Sequence, residues 1–377
     1  MNENPTTSNF PANPSSAPTV TADDPACVHA EPVSATIPEV PDSVPADKKK
    51  DELTQTLYGP VKNDMKEVEL ILLQEFSSKQ ELLGKMLKHG LGMGGKRLRP
   101  ALTLLSGRMC GALTSRHFTC GAIMELVHLA TLVHDDILDE ADLRRHRETI
   151  NARWSNELAV LFGDLLLARA ICLASQLDDL SAYELIAQTS RRLCEGEILQ
   201  VANRGNYNLT AQTYYDIIEG KTAALLECSC RLGAMASKAP EETVQKLGAF
   251  GRNLGMAFQI IDDVLDLTGS QEEVGKTLGQ DLKKEKPTLS VLFAMECVSA
   301  EKKFQLVEQL KNSPDPITVL RPWLERTSAL DFAKKKAKFH VDEALKALDA
   351  IPDQGLIQQP FRESMRNIAN FVLSRDF

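Results

Sequence analysis

The amino-acid sequence predicts an all-α protein, a bundle of about ten to thirteen helices joined by short loops in one domain. Apolar residues recur at the 3.6-residue spacing of amphipathic helices through much of the chain. The apolar–polar alternation of strands is hard to find, and β-branched residues are dispersed. Glycine, asparagine and proline fall mostly between the periodic segments, as expected of loops. The clearest helical segments are residues 61–78, 120–143, 157–177, 214–236 and 247–267.

The composition is that of a globular protein. A chain of 377 residues, 43% hydrophobic and 25% charged, suffices for one large domain or two ordinary ones. The net charge of −9 argues against a nucleic-acid partner, which normally requires a basic face. The eight cysteines include no CxxC pair, so we expect free thiols rather than a zinc site. With no secretory signal pattern at the N-terminus, these thiols predict a cytoplasmic protein.

The chain divides into a tail and a domain. Residues 1–51 are rich in proline, serine, threonine and alanine and show no apolar periodicity. Such a composition buries too little apolar surface to offset the entropy lost on ordering, so we predict a disordered tail. Residues 52–377 form the predicted folded domain.

A first acidic cluster consists of Asp135, Asp136 and Asp139. Asp135 and Asp139 are four residues apart and lie on one face of the predicted helix, with Asp136 beside them. Like charges at this spacing destabilise a helix, and a solvated acidic surface is their commonest role. The preceding turns, however, are apolar all round and predict a buried helix. Carboxylates at the end of such a helix, with no cysteine nearby, indicate Mg²⁺.

A second cluster repeats this pattern. Asp262, Asp263 and Asp266 have the same spacing and again end an apolar helix. Helix bundles build metal sites from carboxylates on facing helices. Two such walls, holding divalent cations between them, form a receptor for a polyphosphate, and the duplication is more specific than either copy.

Basic residues accompany both clusters. Glycines before Lys96 let the backbone approach a ligand closely, and arginine forks match phosphate geometry. The segment "GGKRLRP" is not a Walker loop, since it lacks the GxxxxGK[ST] pattern. An isolated lysine is usually a solvated surface charge, but together these residues predict one substrate on metals and another on bare cations. The candidates are Lys96, Arg97, Arg99, Arg144, Arg145, Lys221, Lys276 and Lys286.

These motifs resemble the trans-isoprenyl diphosphate synthase (polyprenyl synthetase) family, most of all its long-chain, octaprenyl and solanesyl type. The resemblance covers about residues 55 to 377. The family's motifs occur here in the family's order: "GGKRLRP", "ELVHLATLVHDDILDEADLRR", "GD" at 163–164, "EGEILQ", "KTAALL", "GMAFQIIDDVLDLTG" and "GKTLGQDLKKEKPT". The resemblance implies an isoprenoid-synthase-type helix bundle around a central cavity.

The resemblance also implies a head-to-tail prenyltransferase. About three Mg²⁺ ions, with Mn²⁺ as an alternative, would join an allylic diphosphate to Asp135, Asp139 and Asp262. The other three aspartates of the clusters would support these ligands. The remaining contacts to that diphosphate would come from Arg144, Lys221, Lys276 and Lys286, with Thr222, Gln259 and the carbonyl of Lys221 lining the place where the allylic cation forms.

Isopentenyl diphosphate would bind without metal. The resemblance places it on Lys96, Arg99, His128 and Arg145. A histidine alone is more often a satisfied core residue, but His128 lies on the face of Asp135. On this interpretation the aspartates and arginines of "HDDILDEADLRR" face diphosphates rather than each other. The allylic substrate would be farnesyl or geranylgeranyl diphosphate.

Three residues depart from the family pattern. His146 replaces the usual glycine after the arginine pair. Glu285 replaces a common glycine before Lys286, where we expect it to neutralise the lysine in part. Ser290 replaces a common proline. Every charged ligand position is kept, so we expect activity to survive.

Product length is set in the family by the residues before the first aspartate. Aromatic residues there stop growth early, but Ala130 and Thr131 are small, and Met124 and Val127 deeper in the helix are modest. We therefore predict a product of about 30 to 50 carbon atoms, of the kind used as a quinone side chain. A short farnesyl- or geranylgeranyl-type product remains the alternative if another helix forms the floor.

Two other interpretations stay open. A terpene cyclase shares the aspartate helix but lacks the basic isopentenyl site. A non-catalytic subunit of a heteromeric synthase usually loses aspartates, whereas this chain keeps both clusters. The family implies a homodimer, and a lipid-like product predicts weak membrane association.

Overall fold

The computed structural model describes residues 57–268, 279–352 and 355–374, and the predicted tail lies outside them. The all-α prediction is confirmed. A 3₁₀ turn at Gly59–Val61 precedes the first helix, and a π-helical turn at Glu219–Ala223 joins α8 to α9. The α-helices are α1 (Met65–Glu75), α2 (Glu81–Gly92), α3 (Leu98–Cys110), α4 (Ser115–Leu138), α5 (Ile150–Arg153), α6 (Asn156–Ser175), α7 (Leu180–Ala202), α8 (Ala211–Ile218), α9 (Ala224–Ala236), α10 (Glu241–Thr268), α11 (Gln280–Lys283), α12 (Leu289–Glu296), α13 (Ala300–Asn312), α14 (Pro316–Thr327), α15 (Ala329–Asp349) and α16 (Gln359–Leu373).

The helix count agrees with the prediction once two features are considered. Helices α5 and α11 are single turns of 4 residues each. Helices α8 and α9 run on through the π turn as one rod. Setting the single turns aside and counting this rod once leaves thirteen helices among the described residues.

The two longest helices, α4 and α10, carry the two aspartate clusters. Helix α4 has 24 residues and packs against α3 and α6, while α10 has 28 and packs against α9 and α15. Apolar residues of both helices belong to the same main core. A second, smaller core lies under α12, α13 and α14. Helix α4 is buried on most sides, and in its last turn Asp136 is fully buried while Asp135, like the C-cap Asp139, is half-buried.

A short β-hairpin follows α4. Its strands, Leu143–Arg144 and Arg147–Glu148, are the strands found among the described residues. The two loop residues, Arg145 and His146, have φ values of 51° and 63°. A two-residue loop with positive φ at both positions is the pattern of a type I′ turn. This turn reverses the chain and returns the arginines towards α4.

Helix α6 is predominantly apolar. Among the described residues it is the one helix long and apolar enough to cross a membrane, with a mean hydropathy of 1.9. Its sequence includes Asp164 and Arg169, and it packs along α4. A core helix of a globular protein passes the same test of length and composition.

Candidate active site

The two aspartate clusters lie at the C-terminal ends of their helices. Asp135 and Asp136 are in the last turn of α4 and Asp139 is its C-cap, while Asp262 and Asp266 belong to the last two turns of α10. A helix C-terminus carries partial negative charge, which is unfavourable for carboxylates. Both clusters therefore require cations nearby.

A lysine from a distant loop connects to the first cluster. The Lys286 ammonium donates to both oxygens of Asp139 at 2.8 and 3.0 Å. Arg204 and Lys284 approach the same carboxylate at 3.5 Å each. Burial raises the pKa of Asp139, but Lys286 and the neighbouring lysines outweigh it and hold that pKa below its usual value.

Lys221 lies in the π turn among three acceptors. Its ammonium is 2.5 Å from Glu197 and 3.7 Å from Asp135, and it donates to the Gln200 side chain at 2.8 Å. Burial lowers the pKa of Lys221, but these carboxylates raise it above its ordinary value. The pKa of Asp135 is also raised, chiefly by burial, with Glu197 and Asp139 adding to the effect despite Lys221. Two carboxylates, Asp135 and Glu197, thus share the Lys221 ammonium, an arrangement that suits a bound cation.

The second cluster is held by a chain of hydrogen bonds. The Thr222 hydroxyl donates to Gln259 Oε1, and Gln259 Nε2 donates to Asp263 Oδ1, both at 2.8 Å. Tyr214 donates to the other oxygen of Asp263 at 2.7 Å. Burial, followed by the Asp281 charge, raises the pKa of Asp263 well above its ordinary value. Thr222 and Gln259, both predicted to line the cation site, are thus hydrogen-bonded to each other, and their role there stays a prediction. Tyr214 was not predicted.

Asp266 organises the loop that carries the lysines. Its carboxylate accepts from the backbone amides of Gln280 and Asp281 at 3.1 and 3.0 Å, at the start of α11. Asp281, a second residue that the sequence did not single out, has its pKa raised to about 6 by burial and by the Asp266 carboxylate. Lys276 lies outside the described residues, so its predicted role stays a prediction.

A separate basic cluster lies beside α4. The Arg99 Nε is buried without a hydrogen-bond partner, and burial together with Arg145 lowers the pKa of Arg99 to about 10. Burial and the neighbouring arginines, Arg99 first, lower the pKa of His128 well below its usual value, so the imidazole is neutral. Unsatisfied donors beside like charges form a receptor for an anion. Three of the four predicted isopentenyl diphosphate ligands thus come together.

The fourth ligand, Lys96, and the glycine turn differ in detail from expectation. The Lys96 ammonium lies 5.4 Å from the ring centroid of Phe371 on α16. A Cβ on Gly95 would be only 2.5 Å from Arg145 Nη1, which also donates to the Met93 carbonyl at 3.0 Å. The absence of a side chain at Gly95 therefore leaves room for the Arg145 guanidinium, and not only for a bound ligand.

Glu125 is a buried carboxylate that the sequence analysis missed. It is 1% exposed and accepts from Arg97 Nη1 at 2.6 Å, while Arg97 Nε donates to Glu69 at 2.9 Å. Burial lowers the pKa of Arg97, but Glu125 and Glu69 raise it overall. Arg97 is thus paired with Glu125 and Glu69 inside the protein. Arg99, whose Nε has no hydrogen-bond partner, is the arginine suited to bind the anion.

One expectation about the charges of α4 is wrong. Arg144 donates from Nε to Asp136 at 2.7 Å, so an aspartate and an arginine of "HDDILDEADLRR" do pair with each other. Asp136 is fully buried, and the type I′ hairpin folds Arg144 back onto it. A buried carboxylate requires such a partner, which the linear spacing does not show.

The family model described as polyprenyl synthetase matches residues 80–325. The chain belongs to the polyprenyl synthetase family. Heptaprenyl diphosphate synthase component 2 of Geobacillus stearothermophilus is 36% identical over 86% of this chain and 99% of its own length. Octaprenyl diphosphate synthase of Escherichia coli K12 is 35% identical over 83% and 96%. The polyprenyl synthase of Caulobacter crescentus, solved with calcium and isoprenyl diphosphate, has a TM-score of 0.80 at 31% identity, covering 86% of this chain and 98% of its own.

Membership of this family makes the protein a transferase of the polyprenyl diphosphate synthase class, with long-chain synthases among its relatives. The predicted family and the isoprenoid-synthase type of fold are confirmed. A divalent metal accords with the calcium-bound relative.

The departures from the family pattern have backbone explanations. His146 and Glu285 have φ values of 63° and 54°, the region that glycine adopts without strain. Ser290 is the second residue of α12, in the first turn, where proline is tolerated. The Glu285 carboxylate lies against Gly205, whereas the Lys286 ammonium contacts Asp139. This geometry gives no support to the expected neutralisation of Lys286 by Glu285.

The predicted chain-length residues all belong to α4. Met124, Val127 and Ala130 are buried, with 0%, 2% and 3% of their surface exposed. Thr131 is half-buried and donates to the His128 carbonyl at 2.8 Å. They lie one to three turns before Asp135, on the helix that packs against α6. Their role as the floor of the product channel stays a prediction.

The carboxylates present fit magnesium bound together with a substrate. Among the residues that the structure describes, no group of three or more His, Cys, Asp or Glu side chains is placed to hold an ion alone. Magnesium in proteins usually takes one or two carboxylates and completes its shell with water and substrate phosphates. Asp135 and Asp139 on α4 and Asp262 on α10 are therefore suited to an ion that arrives with a diphosphate.

Proposed function

We propose that this synthase condenses isopentenyl diphosphate head-to-tail onto an allylic diphosphate, farnesyl or geranylgeranyl, in a Mg²⁺-dependent reaction. The product would be an all-trans polyprenyl diphosphate of about 30 to 50 carbon atoms, a quinone side-chain precursor. The observation that carries this proposal is a pair of distinct anion sites. One combines two aspartate clusters with Lys221 and Lys286, and the other is a basic cluster in which Arg99 and Arg145 lie beside His128.

The allylic diphosphate would bind between α4 and α10. Asp135, Asp139 and Asp262 would hold about three Mg²⁺ ions, which supply positive charge to the leaving pyrophosphate when bound. Lys286 and Lys221, which pair with Asp139 and with Asp135 and Glu197 in the structure, would turn to the same diphosphate. Arg144 is held by Asp136 at the edge of this site. Lys276 is assigned here by resemblance alone.

Ionisation breaks the allylic C–O bond, and the electron pair leaves with the pyrophosphate. Thr222, Gln259 and the carbonyl of Lys221 would face the resulting cation, since electron-rich oxygens stabilise developing positive charge. The double bond of isopentenyl diphosphate then attacks the cation. The new carbocation loses a proton to the departing pyrophosphate. No side-chain base is then required, and because the isopentenyl double bond is the nucleophile, no side-chain nucleophile is required either.

Isopentenyl diphosphate would bind on Arg99, Arg145, His128 and Lys96. The unsatisfied Nε of Arg99 and the proximity of Arg145 provide charge-assisted donors for its oxygens. The neutral His128 offers a hydrogen bond without adding charge. The second substrate thus approaches from the α3 side of α4, where the hairpin and glycine turn meet.

The test is incubation of pure protein with Mg²⁺, farnesyl diphosphate and labelled isopentenyl diphosphate, followed by chromatography of the products. We expect labelled long-chain polyprenyl diphosphates. Asp135→Asn should lower kcat by about a hundredfold or more, because it removes charge used in the transition state. Asp142→Asn is the control: it removes an exposed carboxylate in the loop after α4 and should leave kcat unchanged. Absence of label from every prenyl product of the wild-type protein contradicts the proposed activity, and a short product contradicts the proposed chain length.

We also propose a homodimer assembled through α6 and α7. These helices expose large apolar side chains, with exposures of 63% for Leu161, 46% for Ile171 and 67% for Ile198. Large apolar side chains exposed on neighbouring helices favour association. Sedimentation should give a dimer for the wild type and a monomer for Leu161→Glu. A monomeric wild type contradicts this part of the proposal.

A heteromeric assembly is the second candidate, because one relative is named as component 2 of a heptaprenyl diphosphate synthase. Full activity of the purified single chain supports the homodimer. Activity that appears only after a second protein is added supports the heteromer.

We further propose that the protein is cytoplasmic and associates weakly with membranes through its lipid-like product. Cell fractionation tests it, and recovery of the protein outside the cytoplasm contradicts it.

A further inference from the structure

Tyr214 is a buried phenol next to the site that none of the assigned roles uses. It lies in α8, is 3% exposed, and donates to Asp263 Oδ2 at 2.7 Å. Burial, followed by the Asp263 charge, raises the pKa of Tyr214 well above its ordinary value, so the hydroxyl keeps its proton. A buried hydroxyl without a partner is costly, which holds Tyr214 and Asp263 together.

The hydrogen bonds beyond Asp263 have a fixed direction. Asp263 Oδ1 accepts a hydrogen bond from the Gln259 amide nitrogen at 2.8 Å, and the Gln259 oxygen points the other way. That oxygen accepts the Thr222 hydroxyl, also at 2.8 Å. A hydroxyl has one proton to donate, and Thr222 donates it to Gln259. The Thr222 oxygen therefore presents lone pairs, rather than a proton, in its remaining directions.

We propose that Tyr214 is a positioning residue for ionisation of the allylic substrate. By holding Asp263 it fixes the Gln259 amide, and the amide turns the lone pairs of Thr222 towards the forming cation. This inference rests on the proposed function, because Thr222 is placed at the cation by that proposal. Without the Tyr214 hydroxyl, Asp263 can rotate, and Gln259 is free to flip and offer Thr222 a donor in place of an acceptor.

The neighbouring tyrosine provides a matched control. Tyr215 follows in the same helix and is half-buried, and its ring contacts those of Tyr214 and His340. Tyr214→Phe and Tyr215→Phe each remove one phenolic oxygen. We expect kcat to fall about tenfold for Tyr214→Phe and to change less than about twofold for Tyr215→Phe. The KM for isopentenyl diphosphate should stay within about twofold in both, because the arginine site is not part of this chain of bonds.

A double-mutant cycle separates positioning from general damage to the fold. If Tyr214 acts through Thr222, Tyr214→Phe should lower kcat by less than about threefold in a Thr222→Val background. A structural defect would instead multiply with the Thr222→Val effect, and that result overturns the inference. Should Tyr214→Phe not fold, 4-fluorophenylalanine at position 214 fills a similar volume without a donor and carries the same expectation.

Two further outcomes distinguish failure of the positioning role from failure of the proposed function. Equal kcat values for Tyr214→Phe and Tyr215→Phe overturn the positioning role and leave the proposed function intact. A wild-type protein that makes no prenyl product overturns both. Replacement of Tyr214 by 4-aminophenylalanine, which keeps a donor on the ring, should restore most of the rate, and failure to do so contradicts the inference.

Discussion

The Lys286 ammonium is bonded to both oxygens of Asp139, at 2.8 and 3.0 Å, across 147 residues of sequence. Asp139 caps the helix of the first aspartate cluster, and Lys286 follows α11, which Asp266 of the second cluster holds. The pair therefore links the two clusters. In the proposed reaction both groups turn to the substrate, the carboxylate through metal and the lysine directly.

Lys286→Met should destabilise the metal-free protein by about 1 to 3 kcal/mol, because Asp139 loses its main partner in a largely buried place. The folded pKa of Asp139 lies below its usual value, so the pair stabilises the fold at neutral pH. This contribution falls as pH drops from about 4 through the folded pKa. Urea unfolding at pH 7 and pH 3.5 measures the difference.

Lys283→Met is the control for that measurement. Lys283 is exposed on α11, three residues earlier, and makes no ion pair with Asp139. It should unfold like the wild type. A Lys286→Met penalty that persists undiminished at low pH would show that another interaction of Lys286 is responsible.

Gly95→Ala should raise the KM for isopentenyl diphosphate about tenfold. The added Cβ would come within 2.5 Å of Arg145 Nη1 and displace the guanidinium. The KM for the allylic substrate should hardly change, because its ligands lie elsewhere. Gly84→Ala serves as the control, since its Cβ meets only the Ser78 carbonyl at 3.4 Å. Steady-state kinetics with each substrate varied in turn measure both KM values. Equal effects on the two KM values contradict the assignment of Arg145 to the isopentenyl diphosphate site.

His146→Gly should stabilise the protein by about 1 kcal/mol. His146 has a φ of 63°, and the left-handed region costs a residue with a Cβ about 1 kcal/mol of stability relative to glycine. His146→Ala keeps this penalty and should not gain stability. Chemical denaturation of the three proteins measures the differences, and a His146→Gly variant no more stable than His146→Ala contradicts the explanation.

Ala130→Phe should shorten the product. Ala130 is 3% exposed on α4, one turn before Asp135, and a phenyl ring there would block a channel that follows the helix. Leu129→Phe, equally buried but about 100° around the helix, is the matched control. Both should lose about 1 to 3 kcal/mol of stability from overpacking. Chromatography of the products gives their length, and an unchanged length for Ala130→Phe places the floor on another element.

The sequence alone was sufficient for the fold class, the family and both aspartate clusters. Helical periodicity and the spacing of Asp135 and Asp139 depend on residues a few positions apart, so they can be seen in the linear chain. Family motifs likewise identified Thr222 and Gln259, which do share a hydrogen bond. The residues that were missed, such as Tyr214 and Glu125, belong to no charge pattern and act through partners far away in sequence.

The tertiary structure alone decided which charges pair. Spacing placed Arg144 after Asp136 but did not show that a type I′ turn, with His146 at a positive φ, folds the arginine back onto a buried aspartate. It also did not show that Lys286 reaches Asp139. Helix formation is dictated by neighbours within one turn, whereas the desolvation that makes a buried charge require a partner exists only once the whole bundle is packed.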